Sequence, residues 1–417
     1  MKVLVVGGGA REHTVCWKFS RSNRLSGLFA APGNAGTVNL ATNLPKIDSD
    51  DVEAVTRFAV DSSIDLVFVG PEAPLAAGLV DALSAEQIAA IGPHAAASRL
   101  EASKAFAKSF MSSYSIPTAA YRSFSDGDEF ERYVRGARKR LVVKKSGLAG
   151  GKGVFEDDDP DLLIANGRAI VDAKDEVIAE EFLAGSEVSI FALTDGSDYL
   201  ILPPCADYKK AGVGSTGPNT GGMGAICPVP WITPEEMVQI DREIVAPTFR
   251  GMADAGIGYR GVLYFGLMIT TDGPRLLEYN VRFGDPEAQV LLPLLGADFT
   301  NWCEAIVNGS IGSFPASYLD ASAVGVVIAA AGYPGSYEKG LTVSRLPSHP
   351  EDEAFVFHAS TAVRHGRLVT GGGRCFTAVG IGRELLNARS RAYSAARGIT
   401  FPGSWYRPDI GGRIFGS

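Results

Sequence analysis

The first nine residues, Met1-Lys2-Val3-Leu4-Val5-Val6-Gly7-Gly8-Gly9, constrain the fold of this chain more than any other stretch. Residues 2–6 read as a short buried strand, and the glycines that stop it run at once into a helical pattern from Arg11 to about Ser22. Further apolar strands are expected at 25–31, 65–70 and 87–92, with helix-like segments at 50–62 and 76–84 between them. This alternation predicts a parallel sheet with helices on both faces over about the first 95 residues.

At 417 residues the chain exceeds the ~100–200 that one core usually spans, so two to four domains are expected. After a helix over 100–114 that closes at Ile116-Pro117, a compact α/β segment follows over about 118–183. In it the strand 140–145 enters a glycine loop, and a helix near 160–173 and a strand near 176–182 complete it. Longer strands come next, including EVSIFALTDG, GVLYFGLMI and RLLEYNVRF, with one helix opened by the capping box Thr233, Pro234 and Glu236, which Pro247 should kink or end. Strands at 323–331, 354–360 and 375–381 and a helix over 384–397 close the chain.

Composition excludes several functions. A net charge of −8 and a pI near 5.3 provide no basic face for nucleic acid. The five cysteines form no CxxC pair, which argues against a structural zinc and fits a reducing compartment. No apolar run approaches the ~18 residues of a membrane span, so a soluble, cytoplasmic protein is expected. The outlier is glycine, 49 of 417 residues against a usual ~7%, with no collagen-like period.

Those glycines concentrate in loops that could handle phosphate. The turn Gly7-Gly8-Gly9 before Arg11 stands between strand and helix, where N–H groups and the helix dipole favour an anion; it reads either as such a site or as a bare turn. A dinucleotide fingerprint is not met, because Glu12 stands where GxGxxG needs its third glycine. Loops at 32–36, 70–74 and 92–93 outline one rim at the carboxyl ends of the strands, and each alone reads as a turn. Lys144 ends a strand and is followed by Gly147-Leu148-Ala149-Gly150-Gly151-Lys152-Gly153, a flexible loop rich in N–H donors; Gly153 stands where a Walker A motif needs Ser or Thr.

With no hydroxyl there for Mg2+, the metal must be held elsewhere. Glu278, Asn280 and Arg282 share one face of a strand by their i, i+2 spacing, offering a carboxylate, an amide oxygen and a guanidinium to a metal-bridged phosphate. A solvated strand face with an ion pair is the plainer alternative. Glu180-Glu181-Phe182-Leu183 with Glu187 would alone read as an acidic edge strand. The loop 216–224, after Asp207-Tyr208-Lys209-Lys210, carries more flexible residues than a connector needs.

In combination, KKSGLAGGKGV (144–154), TGPNTGGMGA (216–225) and EYNVRFGDPE (278–287) resemble the phosphoribosylamine–glycine ligase family of the ATP-grasp superfamily, supported by GGGAREH, APGNAGT, VGPEAPL and AAGYPGSYEKG. The resemblance covers essentially the full length. It implies an α/β multidomain fold: a Rossmann-like domain over 1–100, a linking helix over 101–117, a lid over 118–185, a central ATP-grasp domain over 186–318 and a small α/β domain over 319–417. It implies ATP as co-substrate and Mg2+ or Mn2+ as metal, with glycine and 5-phosphoribosylamine as substrates, no nucleic-acid or membrane partner, and a monomer or weak homodimer.

Carried over by motif, Lys104 and Lys144 would meet the nucleotide, and Gly147, Gly151, Lys152 and Gly153 would fold over its phosphates. Glu180, Glu181, Phe182 and Leu183 would line the adenine edge, Glu187 the ribose, and Lys210 would join the nucleotide site. Glu278 and Asn280 would ligate the metal, and Asn219 and Arg282 would lie along the phosphate path. Asp207, Asp285 and Pro286 would place glycine, while Gly8, Gly9, Arg11, Asn34 and Glu72 would face phosphoribosylamine. The implied reaction is ligation through a glycyl phosphate.

Departures from the family pattern are Tyr208 and Lys210 for the usual His and Arg, Lys145 for a small residue, and a lid segment at 172–178 without Phe-Gly-x-Ala-Gly. Residue chemistry alone also admits an ATP-grasp ligase with another acid and amine, or a nucleotide-binding protein with a weakened lid. The histidines show no ligand spacing: His13 adjoins the first glycine turn, and His349, His358 and His365 read as surface or turn residues. Gly371-Gly372-Gly373 has no chemical assignment and reads as a hairpin turn.

Overall fold

A computed structural model of the chain describes residues 1–148, 153–347 and 353–412. The first strand, Lys2–Gly7, lies at the middle of a parallel sheet ordered Thr42–Asn43, Gly27–Pro32, Lys2–Gly7, Leu66–Val69, Ala89–Ile91. Its period-2 alternation is used fully. Leu4 and Val6 enter one core that continues to Val324 and Val326, while Val3 and Val5 enter a second that reaches Phe191 and Val379. The N-terminal, central and C-terminal segments are thereby packed on shared cores.

Two helices expected to be continuous are broken. The helical pattern at 76–84 breaks at Gly78, whose φ of +88° only glycine adopts freely: Leu79–Ala85 carries most of it, while Ala76 ends a separate helix, Glu72–Ala76, that takes up part of the loop read at 70–74. The helix expected over 100–114 is instead two helices, Ala95–Ala102 and Lys104–Ser113. Ser103 between them is extended, and its side chain accepts from the N–H of Phe106 at 3.2 Å. An N-cap has displaced helix continuity, and Lys104 becomes the first residue of the new helix.

The 118–185 segment is an antiparallel sheet ordered Tyr121–Phe124, Val177–Glu181, Leu141–Lys145, Val154–Glu156. It carries the expected helix Pro160–Asp172 and a second, Gly127–Gly136, capped by Asp126. Phe124, Phe130, Val143 and Ile164 belong to a core of its own, separate from the two shared cores.

The central sheet runs Tyr199–Ile201, Ser186–Thr194, Gly261–Thr270, Gly273–Asn280, all antiparallel. Thr233 and Glu236 form the expected capping box. Pro247 neither ends nor breaks the helical path: a π turn, Asp241–Val245, shifts the hydrogen-bond register, and the proline falls in the first turn of Ala246–Asp254, where a missing N–H costs little.

Chain from both sides of residue 319 builds one further sheet, ordered Ala206–Asp207, Gly224–Cys227, Ser322–Ala329, Arg374–Gly382, Ala354–His358, with helix Leu385–Arg397 packed on it. Thr361–Arg364 and Arg367–Thr370 form a hairpin that turns at His365 and Gly366. Gly371–Gly373 is not a hairpin turn: it leads from Arg367–Thr370, which pairs with Thr361–Arg364, into Arg374–Gly382 of a different sheet. His358 is buried rather than exposed, its N–H donating to His13 Nδ1 at 2.8 Å; His365 occupies a turn, and His349 lies outside the described residues.

All five cysteines are buried thiols. Among the described residues no helix is long and apolar enough to cross a membrane.

Candidate active site

The 118–185 segment, expected as a lid, the central sheet, the N-terminal helices and three residues of the C-terminal sheet, Ala206, Asp207 and Arg374, help to enclose a cleft of about 740 Å³. Four of its walls matter chemically.

On the lid side, the antiparallel register sets Val142 opposite Glu180 and Lys144 opposite Ile178. The Lys144 ammonium reaches Glu180 Oε2 at 3.0 Å, and Lys108, from the helix opened by Lys104, reaches the same oxygen at 3.1 Å. Burial would raise the Glu180 carboxyl, but the two ammonium groups hold it below its ordinary value. Burial pushes Lys108 down to about 8, against the pull of Glu180. Glu180 Oε1 is buried with no hydrogen-bond partner, an acceptor aimed at nothing in the protein itself.

Lys104 opens its helix beside the glycine loop: its N–H donates to Ser146 O at 3.0 Å, fixing where that loop begins. Gly153 lines the cleft and Gly147 lies outside the lining, near Asp175; Gly151 and Lys152 fall outside the described residues. Glu181, Phe182 and Leu183 line the cleft, Glu181 paired with Lys139 at 2.6 Å and Phe182 stacked under the Arg140 guanidinium. Lys145, the departure from a small residue, pairs with Asp175 at 3.1 Å.

The floor is a charged cluster. Lys209 pairs with Glu187 at 2.9 Å, and Lys210 lies 3.7 Å from Glu156 of the lid. Burial, opposed by Lys209 and reinforced by Glu287, Glu187 and Glu278, lifts the Asp207 carboxyl to about 8. Glu278 behaves oppositely: burial would raise it, but Lys209, Lys104, Lys144 and Arg282 hold it low and ionised. Glu287 accepts from Ser189 Oγ at 3.0 Å, and Asn219 completes the lining.

Glu278, Asn280 and Glu287 offer hard oxygen donors to one cavity, which fits Mg2+. Among the described residues no group of three or more His, Cys, Asp or Glu could hold a metal by itself. Glu278, Asn280 and Glu287 would leave the remaining positions to water and substrate phosphate oxygens, as is usual for this ion.

Arg282 is compensated before any ligand arrives. It donates to Glu101 at 2.6 Å, Glu72 at 3.2 Å and Asn280 Oδ1 at 3.0 Å, and to the Phe283 carbonyl at 3.2 Å. Arg11 also lines the cleft, with its Nη1 on the Phe283 carbonyl at 3.0 Å. Gly8, Gly9 and Asn34 stand behind that wall. The Gly9 N–H already donates to Glu12 at 2.7 Å, and the Asn34 amide bridges the Gly8 and His358 carbonyls at 3.0 and 2.8 Å. Asp285 lines the cleft and Pro286 packs against Gly222. Burial would raise Asp285, but Arg374 and Arg11, with a bond from Gln289, keep it low.

Sequence reasoning missed Lys108, Glu101, Lys209, Tyr264 and Arg374, all of which line the cleft. Lys108 carried a signal, since it follows Lys104 by one helical turn. So did Lys209, which stands i+2 from Asp207 as Asn280 does from Glu278. Arg374 carried none.

Family models described as the phosphoribosylglycinamide synthetase N domain, ATP-grasp (A) domain and C domain match residues 1–101, 102–288 and 323–413. A protein of Agrobacterium fabrum named phosphoribosylamine–glycine ligase is 44% identical over 420 residues, covering 99% of this chain and 98% of that protein. The trifunctional purine biosynthetic protein adenosine-3 of Gallus gallus is 44% identical over 425 residues, covering 99% of this chain and 42% of that protein. The crystal structure of phosphoribosylamine–glycine ligase from Thermotoga maritima superimposes with a TM-score of 0.85 at 34% identity, covering 98% of this chain and all of that one. Biotin carboxylase from Campylobacter jejuni, at 12% identity and a TM-score of 0.75 over 98% of this chain and 94% of that one, shares the fold alone. With models for its three domains in order along the chain, and relatives alike over its whole length, the protein belongs to the phosphoribosylglycinamide synthetase family.

Proposed function

We propose that this protein ligates glycine to 5-phosphoribosylamine at the expense of ATP, yielding glycinamide ribonucleotide, ADP and phosphate. One observation carries the reading: a single cleft holds three lysines on its lid side, oxygen donors on its floor, and Arg11 and Glu72 of the N-terminal domain on its far wall.

Adenine lies along Glu180 to Leu183, where the unpartnered Glu180 Oε1 accepts from a donor on the base, and Glu187 meets the ribose. Lys104, Lys144 and Lys210, with Gly147, Gly151, Lys152 and Gly153 of the glycine loop, neutralise and cover the phosphates. Mg2+, or Mn2+ in its place, held by Glu278, Asn280 and Glu287, supplies charge neutralisation at the transferring phosphoryl group.

Asp207, Asp285 and Pro286 place glycine so that its carboxylate oxygen attacks the γ-phosphorus of ATP, with ADP leaving and glycyl phosphate formed. Asn219 and Arg282 stabilise the charge spread over the phosphoryl oxygens. Phosphoribosylamine enters past Arg11 and Glu72, with Gly8, Gly9 and Asn34 behind them, and its amine attacks the glycyl carbonyl. Phosphate then leaves from carbon, the amide forms, and a carboxylate of the floor accepts the amine's proton. No protein nucleophile is needed. Positioning does the work, and the lid, packed on its own core, closes to keep water from the acyl phosphate. The enzyme acts in the cytosol as a monomer or weak homodimer.

The test is release of ADP and phosphate on mixing protein with Mg2+, ATP, glycine and phosphoribosylamine. Dependence on all four supports the reading; equally fast turnover with an unrelated carboxylate overturns it.

A further inference from the structure

Two features of the C-terminal domain have no part in that mechanism: the triplet Gly371–Gly373 and the motif around Tyr333. Both converge on one point of the cleft. The Gly221 N–H donates to the Tyr333 hydroxyl at 3.1 Å. The Arg374 guanidinium donates through Nη1 to the carbonyl of the same Gly221, to Gly222 O at 3.3 Å and to Asp285 O at 2.8 Å; its Nη2 lies 3.4 Å from Asp285 Oδ1. The triplet is what allows this. A Cβ on Gly373 would overlap the Tyr333 ring, and one on Gly372 would crowd Ser360.

The two segments so joined are two lips of the cleft that already touch, Pro286 packing against Gly222. Asn219, Thr220 and Gly221 of one lip and Gly284, Asp285 and Glu287 of the other line it. The loop is anchored at its ends, where Thr220 and Met223 bond to Lys209 and Tyr208, but at its tip Gly221 is exposed and Gly222 has a φ of +103°, so the tip peptides depend on the partners that Tyr333 and Arg374 supply. One planar guanidinium bonded to peptide carbonyls of both lips fixes how they sit against each other, which a flexible ammonium could not do equally well.

We propose that Tyr333 and Arg374, with the glycine triplet that admits the tyrosine ring, form a positioning clamp by which the C-terminal domain holds both lips closed over the glycyl group and shields it from water. The identity of the acyl group rests on the ligase reading above; the clamp itself does not. A slack clamp lets water attack the glycyl carbonyl, so that glycyl phosphate returns to glycine and phosphate while ADP has already been released. The signature is uncoupling, with ADP formed in excess of glycinamide ribonucleotide.

The experiment compares wild type with Tyr333→Phe, Arg374→Met, Arg374→Lys and Gly373→Ala, reading product per ADP, KM for glycine, Kd for ATP, Tm and hydrogen exchange across 216–224. In Arg374→Met, product per ADP falls at least twofold, KM for glycine rises about tenfold, and exchange in 216–224 quickens, while Kd for ATP stays within about twofold. Arg374→Lys recovers part of the coupling. Tyr333→Phe and Gly373→Ala shift the same readouts by a few-fold, and their double variant is no worse than the single ones, because the alanine acts by displacing the ring.

Full coupling and unchanged loop exchange in Arg374→Met overturn the clamp. So does a variant in which ATP affinity, Tm and activity all fall together with coupling intact, which marks a merely structural residue. If wild type itself makes no product from glycine and phosphoribosylamine, the ligase reading fails, and exchange across 216–224 still decides the clamp: quickened in Arg374→Met and Tyr333→Phe it stands, unchanged it falls.

Discussion

Arg282 and Glu101 meet at 2.6 Å, and the pair ties the central sheet to the helix Ala95–Ala102 that leads out of the N-terminal domain. Glu101 is 8% exposed and also accepts the Val281 N–H at 2.7 Å, so one carboxylate serves a buried charge and a buried peptide group. Glu101→Ala is expected to cost about 2–4 kcal/mol in urea denaturation, since it leaves the N–H unpaired and Arg282 with Glu72 as its remaining carboxylate partner. Glu101→Gln, which keeps an acceptor at the N–H, should lose about half of that.

Asp207 supplies a pH test whose sign is fixed by its raised carboxyl. Burial leads the causes of its shift to about 8, so the folded state holds this proton more tightly than the unfolded chain does. The favourable contribution is therefore full at low pH and is lost as pH rises from the ordinary carboxylate range, ~4, through about 8. Asp207→Asn, which cannot ionise, should raise Tm relative to wild type progressively more from pH 5 to pH 9, and least below pH ~4. Wild-type KM for glycine should fall as pH rises through about 8, as the carboxylate that holds the ammonium group ionises. A pH-independent KM would remove Asp207 from the glycine site.

The cluster of Lys108, Lys144 and Glu180 puts two cations on one oxygen. Glu180→Ala leaves both ammonium groups uncompensated in a buried position and removes both side-chain oxygens, with an expected loss of about 3–5 kcal/mol in stability. Kd for ATP, read by titration calorimetry, should rise about tenfold or more as the acceptor for the base is lost.

Glu278 stays ionised because four cations outweigh its burial. Glu278→Ala should lower kcat by about 10²–10³-fold and raise the Mg2+ concentration needed for half-maximal rate. Chelation of divalent metal by EDTA should abolish ADP release in wild type, with full recovery on adding Mg2+ back.

Much of this architecture is legible in residue order because its causes are local. The strand over 2–6 is legible since alternate residues must serve two cores, and Leu4 and Val5 do. Thr233 and Glu236 declare their helix because a capping box needs nothing beyond four residues. Glu278 and Asn280 close the strand Gly273–Asn280 at i, i+2, whereas Arg282 falls two residues past its end and meets the Asn280 amide oxygen at 3.0 Å from there.

What stays hidden is decided at a distance or by close competition. An alanine-rich run such as 95–113 suits continuous helix as well as a break, and one serine hydroxyl on the N–H of Phe106 decides it. The glycine turn reads as a row of free N–H donors, yet Glu12 claims one of them. That claim was readable in principle, as a glutamate at the third helical position. Arg374 could not be read at all: its partners stand 152 and 89 residues away, and only the fold brings them together.

The most direct measurement of the central claim is product analysis by mass spectrometry after incubating the protein with Mg2+, ATP, phosphoribosylamine and isotopically labelled glycine. The account predicts labelled glycinamide ribonucleotide in step with ADP, and none when glycine, phosphoribosylamine or ATP is left out. ADP formed without any labelled amide, or an amide formed equally well from an unrelated carboxylic acid, would contradict it.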